Sequence, residues 1–379
     1  MKFRIALISL IIFTAVMPGY SSPIQSKLMQ AVDYQYSDSR ILLSQIDSIM
    51  VDKLNDGTPV QEIESILLPF LDTGHSLPFL QFLCEKLSLV GGHNSAQKLE
   101  SFLYKSETFD MALYALTRIP DKQADNVLRN AVQNLDGNHK SGIIQTIGFR
   151  KDSEAVPLLS NLAAHKDTAV QHEAVKALGH IGTENAFNRL EEMITSSDKN
   201  LLPIVEAALL DAAQQISSKS VIPVYRELLN SSQTAVKIRA MTLLLDSDPG
   251  QFYSNISKAV NDNDSLLVTT TLQWMQNAEN PCSLSEMKTL YDEISPFHQI
   301  QLLTSLAMMG QNIYLPVVTS AANSDNKNVR LTALDAMLHV GDASVVDLLV
   351  SKTWNTREEI DAVLLTLSLI SDEKTRKEL

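Results

Sequence analysis

The sequence predicts an all-α chain: a superhelical stack of short helix pairs, an α-solenoid, behind an amino-terminal helical cap. Three observations lead there. Residues 153–182, SEAVPLLSNLAAHKDTAVQHEAVKALGHIG, read as two amphipathic helices. Val156, Leu159, Leu162 and Ala163 share one face of the first, and Val170, Ala174, Leu178 and Ile181 share one face of the second. Turn or small residues then recur about every 31 residues, at Pro120, Lys151, Gly182, Ser217, Ser247, Glu279, Gly310, Gly341 and Ser371. Finally, Pro157, Pro223 and Pro316 hold the same phase in AVPLL, VIPVY and YLPVV, where the first turn of a helix misses no hydrogen bond from a proline nitrogen. A pair this short cannot cover both of its apolar stripes, so it needs a like pair on each side.

The amino terminus reads as an export signal, the alternative being an uncleaved anchor. Lys2 and Arg4 precede the apolar run 5–17, and the small residues Gly19, Ser21 and Ser22 follow, so cleavage near Ser21 is expected. The run is short for a permanent anchor, and no later stretch is long and apolar enough to span a bilayer. The mature chain is therefore expected in a bacterial periplasm or the medium. Residues 22–76 form the cap: Ile41, Leu42, Ile46, Ile49, Met50 and Leu54 make a stripe that stops at Gly57. Thr58 is then the expected N-cap of a further helix, with Pro59 at its first position and Gln61 closing a capping box. Residues 77–379 make the repeat array of about nine pairs, the last incomplete. Its longest step, between Gly182 and Ser217, contains the extra turn residues SSDKNLLP.

Composition narrows the function. The formal charge of −13 becomes −15 once Lys2 and Arg4 leave with the signal, and no Lys/Arg cluster offers a track for phosphates, so nucleic acid is not an expected partner. Cys84, in the apolar helix FLQFLCEKLSLV, and Cys282, after Pro281, lie several repeats apart and make no disulfide framework.

The helix pairs, the recurrent proline and the Val-Arg pair of DNKNVRLTALDAMLHVG resemble HEAT repeats, especially the short bacterial kind called phycobilin-lyase HEAT-like repeats. A narrower likeness runs through FLCEKLSLVGG, MALYALTRIPD and the units up to AVPLL. It is similar to exported bacterial arrays, some of which precede a domain of the 3-keto-disaccharide hydrolase type. The first resemblance implies a solenoid whose second helices line a concave surface. The second implies a link to carbohydrate-processing enzymes.

Aligning the second helices by their corners produces a column: Phe109, Lys140, Gln171, Glu206, Lys237, Gln299 and Arg330. If the resemblance holds, this polar strip either meets a protein or peptide partner or forms a ladder between adjacent repeats. In the ladder, a basic residue after the valine meets an aspartate of the turn inside its pair, as Arg330 and Asp325 would. Trp274, on a second helix, is a further candidate anchor for a partner or a sugar ring, and Trp354 sits in a turn.

Other chemistry finds little support. His165, His172 and His180 are seven and eight residues apart, so the latter two lie about 12 Å apart along a helix, too far to share a metal ion. There is no G-x-S-x-G turn, no glycine-rich phosphate loop and no recognisable Cys-His pair. Glu191 with Glu192, and Glu358 with Glu359, read as solvated helix faces. The expectation is an exported, non-catalytic scaffold without cofactor or metal that binds a protein partner. The alternative is an accessory module of a sugar-hydrolase system.

Overall fold

The computed structural model describes residues 22–379 except 73, 217, 249, 250, 261, 263, 277–281 and 379. The expected export signal, the expected corners at Ser217 and Glu279, and Pro281 lie outside the described residues. The described residues form helices joined by turns, with no strand among them. The chain divides into two compact units, through Leu190 and from Glu191.

Unit 1 begins with α1 (Pro23–Ala31), α2 (Ile41–Asn55) and α3 (Val60–Leu67), followed by α4 (Leu77–Val90), α5 (His93–Leu99), α6 (Phe109–Arg118) and α7 (Lys122–Asn134). It continues with α8 (Gly137–Phe149), α9 (Val156–Leu162) and α10 (Thr168–Ile181), and the division falls inside α11 (Glu184–Ser196). Second helices stack on second helices, α4 on α6 and α8 on α10, while first helices α5 and α7 pack together on the other side. The stripe residues Val170, Ala174, Leu178 and Ile181 are all buried, as are Val156, Leu159 and Ala163, with Leu162 half-buried. Each fully buried leucine or isoleucine contributes about 1.5–3 kcal/mol of transfer free energy. Gly148 lets α8 and α10 meet closely, since a Cβ there would lie 2.8 Å from the Ala177 Cα.

The amino-terminal region departs from expectation in two places. Leu43, Ile46 and Met50 form the buried stripe of α2, whereas Ile41 and Leu54 are exposed. The stripe needs only the inner half of this helix. Pro59, not Thr58, is the N-cap of α3, and no side chain caps it, so the expected capping box is absent. Instead α3 packs against α4, and its Glu64 caps a different helix.

Unit 2 contains α12 (Leu202–Ala213), α13 (Ile222–Leu228), α14 (Thr234–Ser247), α15 (Phe252–Val260), α16 (Ser265–Gln276) and α17 (Leu284–Glu293). After these come α18 (Pro296–Met309), α19 (Leu315–Ala321), α20 (Lys327–Val340), α21 (Val346–Ser351) and α22 (Arg357–Glu378). The second helices α14, α16, α18, α20 and α22 stack in sequence. Pro157, Pro223 and Pro316 occupy the first turns of α9, α13 and α19. A 3₁₀ turn precedes each, at Ser153–Ala155, Lys219–Val221 and Asn312–Tyr314, and another at Ala343–Val345 precedes α21, which has no proline.

The corners follow backbone chemistry. Gly182 and Gly310 end α10 and α18 in the left-handed region, at φ 61° and 62°. Lys151 takes the same conformation at φ 55° without being glycine. Two sequence expectations fail. The long step after Gly182 is largely filled by α11, whose 13 residues compare with 7 in α9. No corner forms at Ser371, because α22 runs on to Glu378 through a segment without glycine or proline.

Candidate functional site

The predicted polar column lies against its own stack. In unit 1, Phe109 is buried and stacks on His139, with ring centroids 4.0 Å apart. Lys140 is buried, its ammonium 3.7 Å from Asp136, and the Gln171 amide donates to the Ala163 carbonyl at 3.1 Å. In unit 2, buried Glu206 accepts hydrogen bonds from the Ser231 hydroxyl at 2.6 Å and the Gln233 amide at 3.1 Å. Lys237 donates to both Asp262 oxygens at 3.0 Å, and Gln299 to the Tyr291 carbonyl at 3.0 Å.

Arg330 corrects the expected pairing. Its Nε donates to Glu359 at 2.7 Å, and Asp325 contributes only its backbone carbonyl, at 3.0 Å. The carboxylate thus comes from the next pair, because the guanidinium fork spans two directions at once.

Buried carboxylates recur as caps lent to neighbouring elements. Glu64 accepts from the Gly92 and Ser95 amides, both at 2.9 Å, and from the Ser95 hydroxyl at 2.6 Å, closing the start of α5. Glu359, 1% exposed, accepts from the Asn355 and Thr356 amides at 3.1 and 3.0 Å as well as from Arg330. Burial opposes its ionisation, but the hydrogen bonds from Arg330 and Thr356 prevail and hold its pKa below the usual 4.5.

A cleft of about 240 Å³ in unit 1 is likewise structural in chemistry. Arg150 pairs with Asp125 at 2.5 Å and donates to the Leu116 and Ile119 carbonyls at 2.7 and 2.6 Å, satisfying the carboxyl end of α6. Arg129 meets Asp152 at 2.6 Å and Glu154 at 2.9 Å.

The tryptophans are partly tied down. Trp354 is half-buried, its indole N–H donating to the Leu349 carbonyl at 2.9 Å with the Lys352 ammonium 4.8 Å from the ring centre. Trp274 is half-buried on α16. Cys84 and Cys282 are buried free thiols, and burial pushes both up to about 12, so neither supplies a thiolate at neutral pH. Among the described residues, no cluster of three or more His, Cys, Asp or Glu side chains could hold a metal ion, and no helix is long and apolar enough to cross a membrane.

What faces solvent is a different stripe of the second helices, which the sequence reasoning missed. In unit 1 it comprises Gln81, Glu85 and Leu89 of α4, Asp110, Tyr114 and Arg118 of α6, Gln145 and Phe149 of α8, and Lys176 and His180 of α10. Leu89 and Phe149 are 73% and 72% exposed. Between them the Arg118 guanidinium lies 3.8 Å from the centre of the Tyr114 ring. The signal available in sequence was a large apolar residue on the face opposite the buried stripe of α4, α6 and α8, four residues after Glu85, Asp110 and Gln145.

The HEAT-repeat family model matches residues 124–202, which include the regular pairs around α8 and α10. No curated protein gives a significant match. Among solved structures, an engineered protein aligns at 16% identity with a TM-score of 0.36, covering 82% of this chain and 98% of its own. The CpcE–CpcF complex of phycocyanin lyase from Nostoc sp. PCC7120 aligns at 17% identity and 0.34, over 72% and 94%. Kap95p with RanGDP aligns at 12% and 0.44, over 92% and 50%.

Proposed function

We propose that the chain is an exported, non-catalytic scaffold that holds a protein partner on the exposed face of the second helices in unit 1. The observation carrying this reading is the row Leu89, Tyr114 with Arg118, and Phe149. Large apolar side chains repeat there at the solvent, one per helix, with a guanidinium between them. Exposed aromatic and arginine side chains of this kind are the residue types that dominate protein interfaces. The polar column, by contrast, is spent within the stack: Glu206, Lys237 and Arg330 bond to residues of the next pair, and Lys140, Gln171 and Gln299 bond within their own. Export rests on Lys2, Arg4 and the apolar run 5–17.

The test is affinity capture by the mature chain from its native envelope, with the captured protein identified and its binding remeasured for Phe149→Asp. The expected result is at least a tenfold loss of affinity with an unchanged circular dichroism spectrum. Unchanged affinity, or an intact mass showing that residues 1–21 remain attached, would contradict the proposal in its binding or its export half respectively.

A further inference from the structure

The last helix of unit 2 keeps an interior face with nothing stacked on it. In α14, α16, α18 and α20 one register reads Met241, Leu272, Leu303 and Leu334, each at most 2% exposed, and each of these helices has the following second helix packed against it. The next step of that register is Leu364 of α22, which is 59% exposed. The neighbouring register behaves the same way: Leu244, Met275, Leu306 and Met337 are fully buried, and Leu367 is only half-buried. A third register, which contains Lys237, Gln299 and Arg330 with their polar ties, ends on Ile360, 43% exposed. The first helix of the pair shows the same loss of cover, since Leu348 of α21 is half-buried where Val317, its counterpart in α19, is 1% exposed.

A repeat that closes a stack ordinarily presents a polar outer side to water. Here the residue types are those of an interior pair. From Ala362 to Ile370 the sequence AVLLTLSLI has no charged residue, and the exposed Leu365 and Leu369 leave the remaining side of the helix apolar as well. A helix that is apolar all round is a buried helix. Residues 371–378 do not turn back to cover it, because they prolong α22.

We infer that α22 packs against the α22 of a second copy of this chain, side by side and antiparallel about a twofold axis near Leu364. Two observations select this occupant. Contacts of second helix on second helix build each step from α14 to α22, and the copy's α22 is a second helix with the same open apolar side, so the pairing continues an interface already present. A twofold contact also uses one surface twice, whereas a head-to-tail contact needs a different apolar side elsewhere. The outer side of α2 exposes Ile41 and Val51 but sets Ser44 and Ser48 between them. An anionic membrane surface finds Glu358 and Asp361 and no lysine or arginine between residues 358 and 373. The inference goes beyond the scaffold reading, which rests on the row in unit 1, so either can fail alone.

The experiment is sedimentation equilibrium of the mature full chain over about 1–100 µM, the range in which a modest homodimer dissociates. A dimer is expected at the upper end, with twice the mass of one chain. Leu364→Asp and Ile360→Asp should each weaken self-association at least tenfold, with the circular dichroism spectrum of the native chain retained, because both side chains reach solvent in a single copy. Val51→Asp and Phe149→Asp should leave the association unchanged. A chain that is monomeric throughout, a dimer that survives both α22 variants, or a series growing past the dimer and lost with Val51→Asp would overturn the inference. Binding of a monomeric chain to phosphatidylglycerol vesicles, abolished by Leu364→Asp, would overturn it in favour of a membrane surface.

Discussion

Units 1 and 2 share one hydrophobic logic, and in both an ion pair ties a corner between successive pairs, Arg129 with Asp152 and Arg226 with Asp248, but the other polar ties are made by different residues in different places. In unit 1 the strongest ties sit at the corners between pairs: Arg150 closes the end of α6, and Arg129 reaches Asp152. In unit 2 Arg226 ties the corresponding corner through Asp248, and further ties sit at the turns inside pairs: Lys237 reaches Asp262, Glu206 reaches Ser231, and Arg330 reaches Glu359. The contrast teaches that the apolar stripe sets the stack, while cross-linking by hydrogen bonds can be placed at either end of a helix pair. It also leaves the solvent stripe free to diverge: one register reads Tyr114, Gln145 and Lys176 in unit 1 and Thr242, Gln273, Thr304 and Asp335 in unit 2.

The largest effect tests what the units share. Leu178 in unit 1 and Leu306 in unit 2 stand four residues before their left-handed glycines and are both 0% exposed. Leu178→Asp and Leu306→Asp should each cost about 3–5 kcal/mol in urea titrations, since each buries a carboxylate without a partner. A cost below about 1 kcal/mol at either site would break the equivalence.

The polar ties should then separate the units. Arg150→Ala strands Asp125 and several helix-end carbonyls and is expected to cost about 2–4 kcal/mol; Lys237→Ala, at a more exposed pair, about 1–2 kcal/mol. Equal losses in denaturant titrations would show that the position of the tie is immaterial.

Acid should weaken unit 2 through Glu359. Its pKa is depressed in the folded chain, so its contribution is complete above the ordinary value of 4.5 and disappears as pH falls through the folded value. Melting curves between about pH 7 and pH 3 should show this loss in the native chain and a shallower one in Glu359→Gln.

The sequence made the stack legible because the second-helix pattern at Val170, Ala174, Leu178 and Ile181 states its buried face directly. The prolines were equally readable, since proline leaves few backbone choices. The 3₁₀ turns were not: Asp152, Ser218 and Asp342 cap them through short-range contacts that no apolar period encodes. The column was found but its surroundings were not. Whether Gln171 or Lys237 points to solvent depends on where the adjoining turn lies, and spacing along a helix does not say. Glu359, read as a solvated face from its place beside Glu358, is buried for the same reason.

The smallest effect compares one corner in two forms. Both corners share the left-handed φ, so Lys151→Gly should be more stable than Lys151→Ala by about 0.5–1 kcal/mol, and Gly310→Ala should destabilise by about 1 kcal/mol, since a Cβ at Gly310 meets nothing within 4 Å. Thermal melts of the three variants would check both signs.

The central claim, that one stripe of each second helix faces solvent while its polar column and apolar stripe are held within the stack, is tested most directly by hydroxyl-radical footprinting read by mass spectrometry. Phe149, Phe297 and Met308 should oxidise rapidly, and Phe79, Phe102, Tyr314 and Met337, all at most 2% exposed, should be protected. Protection of the first three together with rapid oxidation of the last four would contradict it.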